Sequence, residues 1–150
     1  AQQEALLKID AAIRDMHGAV GQLRSVKSQL ESHQTLLKDN AKAEELLKKG
    51  AALQEDISTW EENLIQPKQK TFQDVINFNN QLNAELMELR SYIDVAEPEM
   101  TQGAKERLAD LLGEWGQFSR ERDQIVNTGM SEYNTLYRQL ELPALIMGEK

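Results

Sequence analysis

The sequence predicts an all-α fold, an antiparallel up-down four-helix bundle with long first and fourth helices. Apolar residues return at alternating steps of three and four residues in four separate blocks, and this spacing lines up one face of a helix. The four stripes begin at Leu6, Leu46, Phe72 and Leu108. Only three prolines and eight glycines occur among 150 residues, so the blocks contain few helix breakers. Short links between blocks favour antiparallel neighbours that pack at roughly 20°.

The first helix is predicted over 3–38 and the second over 41–65. Asp39 and Asn40 separate them, and either side chain can cap the second helix by accepting hydrogen bonds from its first backbone amides. Pro67 ends the second helix, because the residue before a proline is displaced from the helical region.

The third helix is predicted over 72–95 and the fourth over 101–140. Thr71–Asp74 has the form of a capping box, and either Glu97 or Thr101 caps the fourth helix. At ~1.5 Å per residue, the outer helices overhang the middle pair by roughly 15 to 20 Å. The overhang is expected to form a two-helix stalk at one end of the bundle.

Composition and charge limit the function. The net charge is -8 and basic residues do not cluster, which argues against a nucleic-acid partner. No stretch reaches the roughly 20 apolar residues that cross a bilayer, so membrane insertion is not expected. The chain contains no cysteine, so it forms no disulfide. Residues 1–150 form a single expected domain, and the start in mid-pattern suggests a piece excised from a larger multidomain protein.

The sequence predicts no catalytic, cofactor-binding or metal site. His17 and His33 lack the Glu-x-x-His spacing of carboxylate metal bundles, and two histidines alone do not complete a site. His33 falls on the first stripe and is expected to be a hydrogen-bonded structural imidazole, whereas His17 borders the core. Neighbouring carboxylates point about 100° apart on a helix, so none forms a facing acid-base pair. We therefore expect this domain not to be an enzyme.

Polar residues and a glycine interrupt the stripes. Asn79 and Arg122 occupy core positions, where they either pair across the bundle or mark a locally wet interior. Gly129 indicates either a close crossing of the first and fourth helices or a bend. Trp60 and Trp115 lie on their stripes and are expected in the core.

The C-terminal part of the chain contains the candidate interface. Two tyrosines stand one turn apart near the expected overhang, and the tail 141–147 is almost wholly apolar and broken from helix by a proline. We expect the tail to lie along the bundle or against a partner. The candidate interface residues are Tyr133, Tyr137, Leu142, Pro143, Leu145, Ile146 and Met147.

Several segments resemble the helical C-terminal region of large bacterial proteins that are classed as glycosyl hydrolases, with sialidase-type repeats and a sortilin-like β-propeller. The segments are Gln3–Ile9, Ala19–Arg24, Glu62–Pro67 and Leu142–Leu145. In that class the propeller lies upstream and would carry any glycan or protein binding. The chain lacks the repeat motif Ser-x-Asp-x-Gly-x-Thr-Trp, since Ser58–Trp60 stands in a helical stripe. The resemblance implies a non-catalytic accessory domain of an exported protein, periplasmic or secreted.

Two functions remain open from the sequence. The first is a scaffold or docking module whose partner is the upstream propeller of the same polypeptide or another protein. The second is a stand-alone four-helix-bundle ligand sensor or regulator. The stripes suit intramolecular bundles and intermolecular coils alike, so the oligomeric state is also open.

Overall fold

The computed structural model describes residues 2–65, 81–95 and 100–147. In this part of the chain 88% of the residues are helical and no strand is present. The helical elements are α1 (Gln2–Leu37), a short 3₁₀ turn (Ala41–Ala43), α2 (Glu44–Leu64), α3 (Leu82–Val95), α4 (Gln102–Gln124), a π-helix (Ile125–Met130) and α5 (Ser131–Gln139). α4, the π-helix and α5 follow one another without a break and form one fourth rod. The all-α four-helix bundle predicted from the sequence is confirmed.

Capping side chains set two of the helix starts. The Asn40 carboxamide oxygen accepts a hydrogen bond from the backbone N–H of Lys42 at 3.0 Å, so Asn40 provides the cap between α1 and α2. The Thr101 hydroxyl accepts from the backbone N–H of Ala104 at 3.1 Å and starts the fourth rod. Of the two alternatives for that rod, Thr101 is therefore a cap, and Glu97 lies outside the described residues.

Part of the predicted third helix also lies outside the described residues. This part includes its predicted start at residue 72 and the stripe residue Asn79, and the Thr71–Asp74 capping box and Pro67, which precede it, are likewise outside the described residues. The described portion, α3, covers Leu82–Val95 and lies within the predicted range.

α2 runs antiparallel to α1 along the C-terminal half of α1. The Gln34 side chain donates to the backbone carbonyl of Leu47 at 2.8 Å, next to the turn between the two helices. Further from that turn, the Arg24 guanidinium forms an ion pair with the Glu61 carboxylate. Glu61 is buried, so this pair gives its charge a partner inside the bundle.

α3 also runs antiparallel to α1, along the N-terminal half. The Arg90 guanidinium donates to the Asp10 carboxylate at 2.6 Å, and the Gln2 side chain donates to the backbone carbonyl of Ile93 at 2.7 Å. The guanidinium beside Asp10 lowers the pKa of that carboxyl through a direct hydrogen bond.

The fourth rod runs parallel to α1. Arg122 of the fourth rod contacts Gln22 of α1, and further along both helices Tyr133 contacts His33. Residue numbers therefore increase in the same direction along the two rods. The order of directions therefore differs from a strict alternation. The expected alternation assumes a short link that reverses the chain between the second and third helices, and residues 66–80, which include that link, lie outside the described residues.

The expected two-helix stalk is wrong for the described residues. α2 and α3 follow one another along α1 and together cover most of its length. The largest fully buried side chains come from every rod, and α1 and α2 supply most of them. They are Ile9, Met16, Leu23, Leu37, Leu46, Ile57, Leu64, Leu86, Ile93 and Leu111. None of the described helices combines the length and the apolar character needed to cross a bilayer.

Candidate functional site

A π-helix interrupts the fourth rod at Ile125–Met130. A π turn accommodates an extra residue, widens the helix and often marks a functional position. This element is not among those predicted from the sequence. Its signal is the run Ile125-Val126-Asn127-Thr128-Gly129, in which every residue is a poorer helix former than alanine, and several are β-branched.

Gly129 brings the π-helix close to α2. A Cβ atom built on Gly129 would lie 2.8 Å from Cδ1 of the buried residue Leu53, which is closer than real Cβ contacts. The close approach expected at Gly129 is therefore present, but the neighbour is α2 and not α1. The glycines of α1, Gly18 and Gly21, have nothing within 4 Å of a built Cβ atom, so they do not mark a tight crossing.

An aromatic cluster forms where His33 of α1 meets Tyr133 and Tyr137 of the fourth rod. Tyr133 lies less than one turn after the end of the π-helix. The Tyr133 hydroxyl and His33 Nδ1 are joined by a hydrogen bond of 2.7 Å. The His33 ring also stacks on two tyrosine rings, with centroid distances of 5.8 Å to Tyr133 and 5.4 Å to Tyr137. The hydrogen-bonded structural role predicted for His33 is confirmed, whereas His17 is exposed and does not border the core.

Burial controls the chemistry of Tyr133. Its side chain is only 5% exposed, and burial, followed by the nearby Tyr137, raises the pKa of the Tyr133 hydroxyl to about 12. The hydroxyl therefore keeps its proton at neutral pH. On α2, Gly50 faces this ring, and a Cβ atom at Gly50 would lie 3.1 Å from Tyr133 Cε2. A glycine at this position lets the tyrosine ring pack directly on the α2 backbone.

A small pocket of about 80 Å³ opens beside the cluster, where α1, α2 and the fourth rod meet. Its walls are formed by Val26, Gln29, Leu30, His33, Leu53, Met130, Tyr133 and Asn134. No Asp, Glu, Lys or Arg side chain is among them. The pocket opens to solvent beside the exposed residues Gln29 and Asn134, so either water or a small molecule can fill it. We name it the three-helix pocket.

The predicted interface tyrosines do not form an exposed surface. Tyr133 is buried in the bundle, so its assignment to a docking surface is corrected. It packs inside because α2 reaches the level of the expected stalk and covers it. Tyr137 is half-buried, and its hydroxyl donates to the backbone carbonyl of Pro143 at 3.3 Å. The contact fixes the tail against the end of the fourth rod.

The apolar tail divides into a packed side and an exposed side. Glu141 adopts a left-handed backbone conformation, with φ of 51°, and turns the chain at the end of the fourth rod. Leu142 and Ile146 pack against the core. Leu145 and Met147 are each 93% exposed. The prediction that the tail lies along the bundle thus describes Leu142 and Ile146 but not Leu145 and Met147.

The exposed side of the tail borders a groove of about 550 Å³. The groove is formed by the end of α1 and the following turn, residues 35–41, together with Pro143, Ile146 and Met147. We name this region the hairpin end, defined by residues 35–41 and 141–147. Leu36 adds a further partly exposed leucine to it.

A second groove, of about 580 Å³, lies between α2 and the π-helix. Four carboxylates, those of Glu55, Asp56, Glu121 and Glu132, line it together with Trp60. In residues 2–65, 81–95 and 100–147, no three acidic, histidine or cysteine side chains come together in an arrangement that could hold a metal ion. The absence of metal, cofactor and catalytic sites remains a prediction for the whole chain.

Two residues singled out in the sequence have defined partners. The Trp60 side chain is 4% exposed, and its indole N–H donates to the backbone carbonyl of Phe118 at 2.8 Å. The Arg122 guanidinium donates to the Gln22 side chain at 2.6 Å and to Asp123 at 3.0 Å. The pairing across the bundle expected for Arg122 is therefore confirmed.

Comparisons with family models, with curated proteins and with solved structures find no match to this chain.

Proposed function

We propose that this chain is a non-catalytic interaction domain that docks through its hairpin end, as an accessory or scaffold domain of a larger protein. The single observation that supports the proposal is the exposure of Leu145 and Met147, each 93% accessible on an otherwise anchored tail. Leu142 and Ile146 of the same tail are instead partly buried against the core.

The energetics favour a surface that is covered in the assembled protein. Burying a leucine or methionine side chain is worth roughly 1.5 to 3 kcal/mol, so two side chains offer about 3 to 6 kcal/mol before the cost of association. The adjoining groove gives a partner a concave surface to fill, and contiguous exposed apolar groups of this kind mark interaction sites.

The partner that we propose is the upstream domain of the same polypeptide. The resemblance to the helical C-terminal region of glycosyl-hydrolase-class proteins supports this choice, since a β-propeller precedes that region. In such a protein the bundle would act as an exported scaffold against which the propeller rests, with no hydrolytic role of its own.

Hydrogen exchange tests the proposal by comparing the isolated chain with the longer polypeptide. We expect the amides of residues 35–41 and 141–147 to exchange at least tenfold more slowly in the longer protein. Leu145→Asp with Met147→Asp should abolish that difference, because two charges would have to be buried. Leu7→Asp is the matched control, since Leu7 is 64% exposed near the opposite end of α1.

Two results would contradict the proposal. One is equal exchange of the hairpin end in the isolated chain and in the longer protein. The other is a stable dimer of the isolated chain whose formation is lost with the same tail substitutions, because the occupant would then be a second copy.

A further inference from the structure

We infer that the three-helix pocket is a binding site for a short branched aliphatic molecule with one neutral hydrogen-bonding group. The site is separate from the hairpin end and does not depend on the docking function. If the domain is a ligand sensor, the second function left open by the sequence, this pocket is where its ligand would bind.

The volume of the pocket sets the size of the ligand. About 80 Å³ is close to half of a 150 Å³ apolar cavity that accepts benzene. It has room for two or three water molecules, at about 30 Å³ each, or for an organic molecule of about five non-hydrogen atoms. A six-membered ring is therefore expected to be too large.

The side chains that line the pocket set the polarity of the ligand. Leu30, Leu53 and Tyr133 are buried and form an apolar floor. Gln29 and Asn134 are exposed, so their carboxamides stand where the pocket meets solvent. The ligand that matches this arrangement has an aliphatic body at the floor and a hydroxyl or amide group at the opening.

The absence of charge in the walls favours a neutral ligand over an ionic one. No carboxylate, ammonium or guanidinium lines the pocket. A charged ligand would lose its hydration without gaining a counter-ion, which is costly. His33 Nδ1 is already bonded to the Tyr133 hydroxyl, so Nε2 is the ring nitrogen that remains for a ligand. A hydroxyl group suits either tautomer of His33, because it both donates and accepts.

The π-helix explains why a pocket exists at this position. Met130 ends the π-helix and forms one wall, and Tyr133 follows it by three residues. The extra residue of the π turn displaces these side chains from the register of a continuous α-helix. The widened turn and the pocket are therefore parts of one structural feature, placed at the junction of three rods.

NMR of the methionine methyl groups tests the inference. One methionine lines the pocket, and methionines elsewhere in the chain serve as controls. With the methionine methyl groups labelled with ¹³C, the full chain is titrated with isobutanol, a probe of five non-hydrogen atoms. We expect a saturable shift of the Met130 resonance with a Kd in the millimolar range. Met16, fully buried elsewhere, and Met147, fully exposed, should show no saturation. Linear shifts of equal size at all three methyl groups would overturn the inference.

Comparison ligands and variants sharpen the test. Cyclohexanol, which is too large, and isobutyrate, which is charged, should each bind at least tenfold more weakly than isobutanol. Val26→Phe fills the pocket and should raise the Kd for isobutanol at least tenfold, whereas Ile13→Phe, an enlargement about four turns away on α1, should leave it unchanged. If Val26→Phe fails to fold, the comparison of the three ligands decides the question alone. Equal Kd values for the three ligands would refute the assigned size and charge of the site.

Discussion

Replacing Tyr133 with phenylalanine isolates the hydrogen bond at the centre of the aromatic cluster. The change removes only the hydroxyl that contacts His33 Nδ1 at 2.7 Å and keeps the ring that packs on Gly50. A neutral hydrogen bond contributes about 1 kcal/mol, and a half-buried nitrogen left without its partner adds to the loss. We expect Tyr133→Phe to lower the free energy of unfolding by about 1 to 2 kcal/mol at pH 7.5.

The pH dependence gives this prediction a second, independent measure. The Tyr133 pKa rises from 10.0 to about 12 on folding. The unfolded chain therefore ionises before the folded chain, so the contribution of Tyr133 is complete below pH 10 and is lost between pH 10 and 12. At about 1.4 kcal/mol per unit, the natural chain should lose roughly 1.4 kcal/mol through this residue by pH 11. Phenylalanine has no such loss, so the two free energies should converge near pH 11.

Urea unfolding followed by circular dichroism measures both effects. Tyr92→Phe serves as the control, because Tyr92 is half-exposed, and we expect a change below about 0.5 kcal/mol. The reasoning would be refuted if Tyr133→Phe were as stable as the natural chain at pH 7.5. It would also be refuted if the difference between the two proteins stayed constant from pH 8 to pH 11.

Four further predictions concern packing and backbone conformation, and urea unfolding tests each of them. Trp60→Phe should cost about 2 kcal/mol, because it removes buried volume and the indole hydrogen bond to the Phe118 carbonyl, and a cost below about 0.5 kcal/mol would contradict that role. Gly129→Ala should destabilise by about 1 kcal/mol through its clash with Leu53, and Leu53→Ala should remove this penalty. Gly113→Ala, in open space, should instead stabilise by about 0.5 to 1 kcal/mol, and loss of stability there would argue against helix propensity as the dominant effect. Glu141→Gly should stabilise by about 0.5 to 1 kcal/mol by relieving its positive φ, and a neutral or unfavourable result would show that the left-handed conformation carries no strain.

The sequence predicts the helices well because their determinants are local. Periodicity and the polar break at Asn40 place α1 within one residue of its predicted ends, and the Thr101 hydroxyl starts the fourth rod as a capping side chain should. His33 and Arg122 are polar residues on apolar stripes. The need to satisfy buried polar groups is enough to predict that each has a partner, though not which partner it is.

The positions of the candidate sites depend on how the rods are aligned along one another. The apolar stripe of one helix does not encode that alignment. Tyr133 is assigned to a surface from its position near a chain end, but α2 lies beside that end and buries it. The π-helix shifts the side chains that follow it, and the weak helix formers around Gly129 are its only local signal.

The sequence by itself determined that amphipathic helical segments exist, where α1 begins and ends and where the fourth rod starts, and that the helices must hide their apolar faces. These properties follow from the spacing of side chains along one chain and from the hydrogen bonds of adjacent residues. Only the tertiary structure decided that α2 and α3 follow one another along α1, that a parallel fourth rod closes the bundle, and that Leu145 and Met147 stay outside it. The reason is that the direction of a helix and the exposure of its residues depend on which faces meet, and many pairings of similar stripes satisfy the same periodicity.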